Sequence, residues 1–222
     1  MRKMIDLHSH TLFSDGVLIP AEHVRRAIVS GYGAIAITDH ADFTNYKFIL
    51  KNVNKVKTIE KDWDIKILVG IEITHVPPSR INELAKSAKK HGADIVVVHG
   101  ETTVEPVAEG TNHASVISDY VDILAHPGFL TLEDAKLAKE NDVHIEITAR
   151  NGHNRTNGHV ARIATDAGAK IVCNTDAHNP SNFITLSTAM NILKGSGLSE
   201  KQAQEAFKNS EELVKKCLED ND

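Results

Sequence analysis

Apolar positions along this chain alternate between two kinds of run. The first kind is short and unbroken: residues 34–38 (AIAIT), 65–71, 94–98 (DIVVV), 121–124 (VDIL), 143–147 and 170–173 (KIVC). Runs of this length without polar alternation read as strands buried on both faces, as in a parallel sheet. Residues 3–8 supply a further strand at the start. The second kind repeats at helical spacing. Residues 20–30 open with Pro20, place Val24, Ala27 and Ile28 on one stripe, and end before Gly31 and Gly33. Residues 45–61 carry Phe48, Ile49, Val53, Val56 and Ile59 in the same way. Further helices are predicted at 79–91 (capped by Ser79, closed by Gly92), 113–119, 132–140 (capped by Thr131), 158–167, 181–194 and 199–218.

Seven strand-then-helix units make an α/β protein, and this many favours a closed barrel of TIM type over an open sheet. An open doubly wound sheet is the alternative, but no G-x-G-x-x-G follows the first strand. The 222 residues are expected to form a single domain, residues 1–222, with a helical extension at about 199–218. Leu213, Val214 and Leu218 share a stripe there that could pack on the barrel or on another subunit, so the oligomeric state stays open.

Charge adds little. Apolar residues make up 41% of the chain and the net charge is −5, so no basic field draws it to nucleic acid or an anionic membrane. No apolar run approaches the ~20 residues that span a bilayer. The basic start Met1-Arg2-Lys3-Met4 runs at once into Asp6, His8 and His10, unlike a secretory signal. Two cysteines give no disulfide framework, and a cytoplasmic setting is expected.

The thirteen histidines change the picture through their placement. His8 and His10 stand at i and i+2 on an extended segment, so both imidazoles face one side. Thr38-Asp39-His40 closes the second strand, Gly70-Ile71-Glu72 the third and His99-Gly100 the fourth. Ala125-His126-Pro127-Gly128 closes the fifth, and Asn174-Thr175-Asp176-Ala177-His178 the seventh. Six of seven strand ends therefore bear His, Asp or Glu, and in a parallel barrel those ends share the face that builds active sites. Structural histidines have no reason to favour one end of successive strands. His23, His91, His144 and His159 fall elsewhere and read as structural or solvated; His75, His113 and His153 lie in loops and stay ambiguous. Asp6 and Asp39 read as supports behind the imidazoles, or, for Asp39, as a turn cap. Asp94 and Asp122 open their strands at the other end and read as turn residues.

The ordered set D-L-H-S-H-T with S-D-G, T-D-H, G-I-E, a strand-end His, A-H-P-G and N-T-D-A-H resembles the motifs of the PHP (polymerase and histidinol phosphatase) superfamily, over residues 6–178. The nearest likeness is to stand-alone phosphoesterases of the histidinol-phosphate phosphatase kind. The resemblance implies a distorted (β/α)7 barrel, two or three divalent zinc, manganese or iron ions, and phosphoesterase activity. By position, it implies one metal on His8, His10, Glu72 and Asp176. A second would share Glu72 and take His99 and His126. A third would use His40, His178 and Asp15, the last standing where some members have histidine.

The implied chemistry is hydrolysis of a phosphomonoester of a small metabolite by a water activated between two cations bridged by Glu72. Glu72 and Asp176 would hold the reacting centre. Asp15 or His178 could protonate the leaving alcohol if the third position is empty. Arg150 and Arg155, after the sixth strand, are candidate phosphate contacts because guanidinium forks match phosphate oxygens. The long loop from Glu101 to Asn112 suits a lid or substrate-shaping role. Three alternatives stand beside this reading. A phosphodiesterase or nuclease lacks the expected basic, aromatic-interleaved stripe. An amidohydrolase would want a lysine at a strand end, and none is found. A metal-stabilised scaffold would have lost ligands.

Overall fold

The computed structural model describes residues 2–219; Met1 and residues 220–222 of the expected domain lie outside the described residues. Seven parallel strands follow the chain around a barrel: β1 (Met4–Asp6), β2 (Tyr32–Ile37), β4 (Lys66–Ile73), β5 (Ile95–His99), β6 (Ile123–Ala125), β7 (His144–Thr148) and β8 (Ile171–Asn174). A two-residue strand that the apolar pattern does not reveal, β3 (His40–Ala41), lies against β4 and sets His40 opposite Glu72. The first and last strands meet through a parallel bridge between Ser9 and Ala177. There the N–H of His10 donates to Ala177 O (2.8 Å) and that of Asp176 to His8 O (2.9 Å). The seam closes the sheet into a barrel, so the open-sheet alternative does not hold.

Helices cover the outside: α1 (Pro20–Val29), α2 (Tyr46–Val53), α3 (Pro78–Lys90), α4 (Thr111–Val116), α5 (Leu132–Glu140), α6 (Asn157–Ala167), α7 (Leu186–Gly195) and α8 (Glu200–Glu219). Most fall where the apolar stripes put them, and Thr131 caps α5 by accepting from Asp134 N–H. Three details differ. The expected 45–61 helix ends at Val53 and continues as a 3-10 turn from Asn54 to Ile59. Pro77 and Pro78 start α3 through their fixed φ, which leaves Ser79 inside its first turn rather than capping it. The expected 181–194 helix is split: Pro180–Asn182 form a 3-10 turn and α7 begins at Leu186.

Strand alternation divides the apolar residues into two cores. One lies between sheet and helices, where Ile35, Ile37, Ile67, Val69, Val96 and Val98 meet the buried stripes of α1 to α7. The other fills the barrel, from Leu7, Ala34, Ala36, Leu68, Ile95, Val97, Ile123 and Val172. Leu213, Val214 and Cys217 of α8 belong to this inner core. The last helix therefore closes the barrel floor, where Asn209 also donates to Ile171 O (2.8 Å). Each buried aliphatic side chain there stabilises by about 1.5–3 kcal/mol. With the floor filled, the polar inner residues gather at the other end, where the strands finish. No helix among the described residues is long and apolar enough to cross a membrane.

Candidate metal centre

Strand alternation aims Glu72, His99 and Glu146 inward from β4, β5 and β7. His126 and Asp176 follow β6 and β8 at positive φ (27° and 51°), a conformation uncommon for residues with a Cβ and concentrated at functional sites. The loop after β1 is held by Asp39, which accepts from Thr11 N–H (2.7 Å), Thr11 Oγ1 (2.6 Å) and Ser14 Oγ (2.7 Å). Asp39 thus fixes a turn and does not touch an imidazole as a hydrogen-bond partner. A Cβ on Gly16 would lie 2.4 Å from His10 O, so the S-D-G turn needs its glycine. The turn carries Asp15 over the cup, with Oδ1 3.1 Å from His178 Nε2 and 3.5 Å from His40 Nε2. Asp6 supports the seam, accepting from Thr175 N–H (3.1 Å), the Thr175 hydroxyl and His8 N–H (3.3 Å). Burial pushes its carboxyl up to about 6, against the pull of the Thr175 and His8 donors.

The nine side chains expected at the centre converge. His8 Nε2 lies 3.2 Å from Glu72 Oε1 and 3.8 Å from Asp176 Oδ1. His10 Nε2 is 3.1 Å from His8 Nε2, 3.2 Å from Asp176 Oδ1 and 3.6 Å from Glu72 Oε2. His126 Nε2 stands 3.5 Å from Glu72 Oε1 and 3.8 Å from Asp176 Oδ2. The ring of His99 packs edge-on against that of His126, with centroids 4.5 Å apart. Candidate ligand atoms lie within 4.8 Å of one another in four overlapping groups. These are His8 with His10 and Glu72; His10 with Asp15, His40 and His178; His99 with His126 and His153; and His8 with His126 and Glu146.

How the rings are held bears on what they can bind. His8 directs Nδ1 to Glu146 (2.8 Å), His40 to the Thr74 hydroxyl (2.7 Å) and His99 to Gly100 O (3.2 Å). His153 directs Nδ1 to the Thr102 hydroxyl (2.8 Å) and His178 to Asp176 O (2.9 Å). With Nδ1 engaged from behind, Nε2 of His8, His99 and His153 is left to face the cup, which is the outer support that metal-ligating histidines ordinarily have. The Nδ1 atoms of His40 and His178 also stand 2.7 Å from Glu72 Oε2 and 3.3 Å from Asp176 Oδ1, so both nitrogens of those rings line the cup. Meanwhile both oxygens of buried Glu72 and Oδ1 of Asp176 lack a well-aligned hydrogen bond, although imidazole nitrogens surround them as close as 2.7 Å (His40 Nδ1 to Glu72 Oε2). Buried carboxylate oxygens are costly when left so, and a divalent cation among them would satisfy oxygens and nitrogens together. The residues fit the metals expected of them.

Among themselves the acids and imidazoles of the cup compensate one another's charge. Burial alone would raise Glu72, but His8, His40 and His99 hold it well below the usual carboxylate range. Burial opposes protonation of His40, yet Glu72 and Asp15 push it up to about 10. His10, with burial dominant, falls to about 3. Carboxylates here remain ionised, which is the state that binds a cation, and a cation held by His40 would displace its proton.

The candidate arginines separate. Arg150 reaches the rim, with Nη1 3.4 Å from Asp176 O and Nε 3.9 Å from Asp176 Oδ2. Arg155 is exposed on the 3-10 turn His153–Thr156. Between them His153 turns inward. Two further residues reach the cup without having been expected there. Glu146 is fully buried behind His8; its signal was an acid between two isoleucines in a buried strand, HIEIT. Glu105, on the loop after β5, lies 3.1 Å from His99 Nε2 and 3.4 Å from His153 Nε2, and no motif marks it. Of the other ambiguous histidines, His75 stands 3.6 Å from Glu105, while His113 points away to Asp134 (2.8 Å). His23 holds Ser9 Oγ (2.8 Å), His91 bonds Ser87 O at the end of α3, and His159 bonds Leu130 O, each in a structural role.

Comparison with known proteins places the chain among relatives of several kinds. An uncharacterized protein of Methanocaldococcus jannaschii is 52% identical over 214 residues, covering 95% of this chain and 98% of that one. A protein of Thermoanaerobacter sp. named a probable phosphatase is 25% identical over 218 residues, 90% of this chain and 89% of its own. Ribonuclease P protein component 3 of Methanosarcina barkeri is 32% identical over 126 residues, 54% of this chain and 46% of that protein. Among solved structures, a chain in the cryo-EM structure of archaeal ribonuclease P with mature tRNA superposes with a TM-score of 0.71 at 16% identity, covering 96% of this chain and 91% of its own; at that identity the likeness is one of fold. The family model described as PHP domain matches residues 6–216, nearly the whole length over which the ligand-bearing strand ends are distributed, and the chain belongs to that family.

Proposed function

We propose that this chain is a metal-dependent phosphoesterase that hydrolyses a phosphomonoester of a small metabolite. The observation that carries the reading is the cup itself: the imidazoles of His8, His10, His40 and His126 crowd within 3.6 Å of the buried Glu72 carboxylate. Family membership and relatives named probable phosphatases support it. His8, His10, Glu72 and Asp176 would hold one cation, Glu72 with His99 and His126 a second, and Asp15, His40 and His178 a third. Bound there, divalent ions activate water and neutralise charge on phosphoryl oxygens.

The chain's own groups do the rest. Arg150, beside Asp176 at the rim, is placed to meet a phosphate oxygen with a guanidinium fork. His178 donates from Nδ1 to Asp176 O, so with the third position empty its Nε2, 3.1 Å from Asp15, would be the atom that hands a proton to the leaving alcohol. The loop from Glu101 is tied at its base by Asn112, which accepts from Glu101 N–H (3.0 Å) and donates to Pro127 O (2.8 Å). It shapes one wall of the cup. Histidinol phosphate is one candidate substrate.

A second reading, cleavage of phosphodiesters or nucleic-acid ends, rests on relatives whose names are those of nucleases and a ribonuclease P component. The net charge of −5 weighs against a long polyanion. Chelated protein, reconstituted with manganese, zinc or iron, should hydrolyse p-nitrophenyl phosphate and leave the bis ester intact. Turnover of the bis ester, or of RNA ends in preference, would favour the second reading. No turnover of either ester with any metal would end both.

A further inference from the structure

His153 and Glu105 stand outside every motif, yet both reach the cup at the same corner. His153 is buried, and its Nδ1 is taken by the Thr102 hydroxyl, which turns Nε2 toward His99 and His126. Its ring centroid is 4.3 Å from that of His126 and 5.8 Å from that of His99. Glu105 spans the same corner from above, with Oε2 3.1 Å from His99 Nε2 and Oε1 3.4 Å from His153 Nε2. Thr102, which orients His153, and Glu105, which faces it, belong to one loop. That loop is braced by Asn112, whose N–H also donates to Glu101 (2.9 Å).

We propose that His153 and Glu105 are further ligands of the second cation position, which then has His99, His126, His153 and Glu105 beside the shared Glu72, two of them supplied by loops. Three imidazoles, one carboxylate of its own and the shared one form a nitrogen-rich set, suited to zinc or ferrous iron. The neighbouring position, built from His8, His10, Glu72 and Asp176, has two carboxylates and suits a harder ion such as manganese. The first and second positions are then chemically unlike rather than equivalent, and they would load with different ions from a mixed supply. The Glu105 side chain is partly exposed and loop-borne, so it is the ligand most easily removed without disturbing the barrel.

The inference rests on the metal-centre part of the function proposed above, but not on phosphate chemistry. Its test is a cobalt(II) titration of chelated protein, followed by visible absorption and by metal analysis after gel filtration. Glu105→Gln should weaken one cobalt equivalent by about tenfold or more and change the d–d bands of that equivalent alone, since even residues behind a ligand cost 10–100-fold in affinity. His153→Asn should affect the same equivalent, and Glu109→Gln, on the same loop, none. In competition, zinc should displace cobalt from that equivalent and manganese should not. Unchanged stoichiometry, affinity and spectrum in Glu105→Gln would overturn the proposal whether or not His153→Asn folds. So would manganese competing equally with zinc. If one equivalent is lost as expected but no phosphate ester turns over, the phosphoesterase reading falls and the site stands.

Discussion

The two ends of the barrel use the same residue types to opposite purpose. At the floor, Asp94 accepts from Val69 N–H (2.7 Å) and Lys57 (2.8 Å), and Asp122 from Val96 N–H (2.7 Å) and Lys89 (2.7 Å). Asp142 meets Lys170 and Lys216, each at 2.8 Å. Each of these carboxylates has a lysine, and the two buried ones also tie down the N–H of the preceding strand. They are splints across the sheet rather than simple turn residues. At the mouth, Glu72 and Asp176 face four imidazoles apiece and no lysine, with Arg150 at 3.9 Å from Asp176 as the one guanidinium among the described residues there, and three of their four oxygens lack a well-aligned hydrogen bond. Burial of an acid therefore says little about function. What separates the ends is whether the protein itself supplies the compensating donors.

The sharpest way to break that contrast is to remove a charge from each end. Glu72→Gln should lower turnover by more than about 100-fold, beyond the 10–100-fold typical of residues behind metal ligands, and bound metal should fall with it. Metal analysis beside a p-nitrophenyl phosphate assay checks this; a variant with full metal and full turnover would remove Glu72 from the centre. The next effect concerns His144, which is buried on β7 near the floor with neither ring nitrogen hydrogen-bonded. Burial lowers it to about 4 from an ordinary 6.5, so the unfolded chain takes up this proton first as pH falls. Its contribution is complete above pH 6.5 and is lost progressively towards pH 4, to a total of roughly 3 kcal/mol. Urea unfolding of wild type and His144→Leu across that range should show a shallower loss in the variant; parallel curves would refute the assignment. Smallest, Asp122→Ala strands Val96 N–H and Lys89 and should cost about 1–3 kcal/mol of stability. Turnover per folded molecule should stay within about twofold, and a large loss would mean that the ends are not independent.

Much of this was legible from residue order, for identifiable reasons. Barrel strands are buried on both faces, so AIAIT, DIVVV and KIVC announce themselves without alternation. A parallel barrel also delivers every strand end to one face, so positions 8, 10, 40, 72, 99, 126, 176 and 178 could be joined before any distance was known. What escaped depended on backbone that periodicity does not encode. The β3 pairing is two residues long. His126 lies in the inner cup only because its φ turns positive where simple alternation would send it outward. Glu105 and His153 arrive on loops whose course is set by Asn112 and Thr102 hydrogen bonds. Arg155 was legible as a cation but not as an exposed one. Glu146 is marked in the sequence only as an acid between two isoleucines, away from the strand ends where the other ligands stand.

The helix that stoppers the floor has a consequence for how the chain acquires its shape. Arg2 pairs with Glu211 (2.8 Å) and hydrogen-bonds Gln204, 202 positions away, while the seam joins residues around 9 to those around 177. Contacts this remote in order are slow to find, since a long loop must close before any of them is rewarded. Until α8 docks, the apolar lining contributed by the earliest strands has nothing over it. Assembly cannot finish progressively from one end. A variant without α8 would leave the apolar lining of the first strands open to other chains.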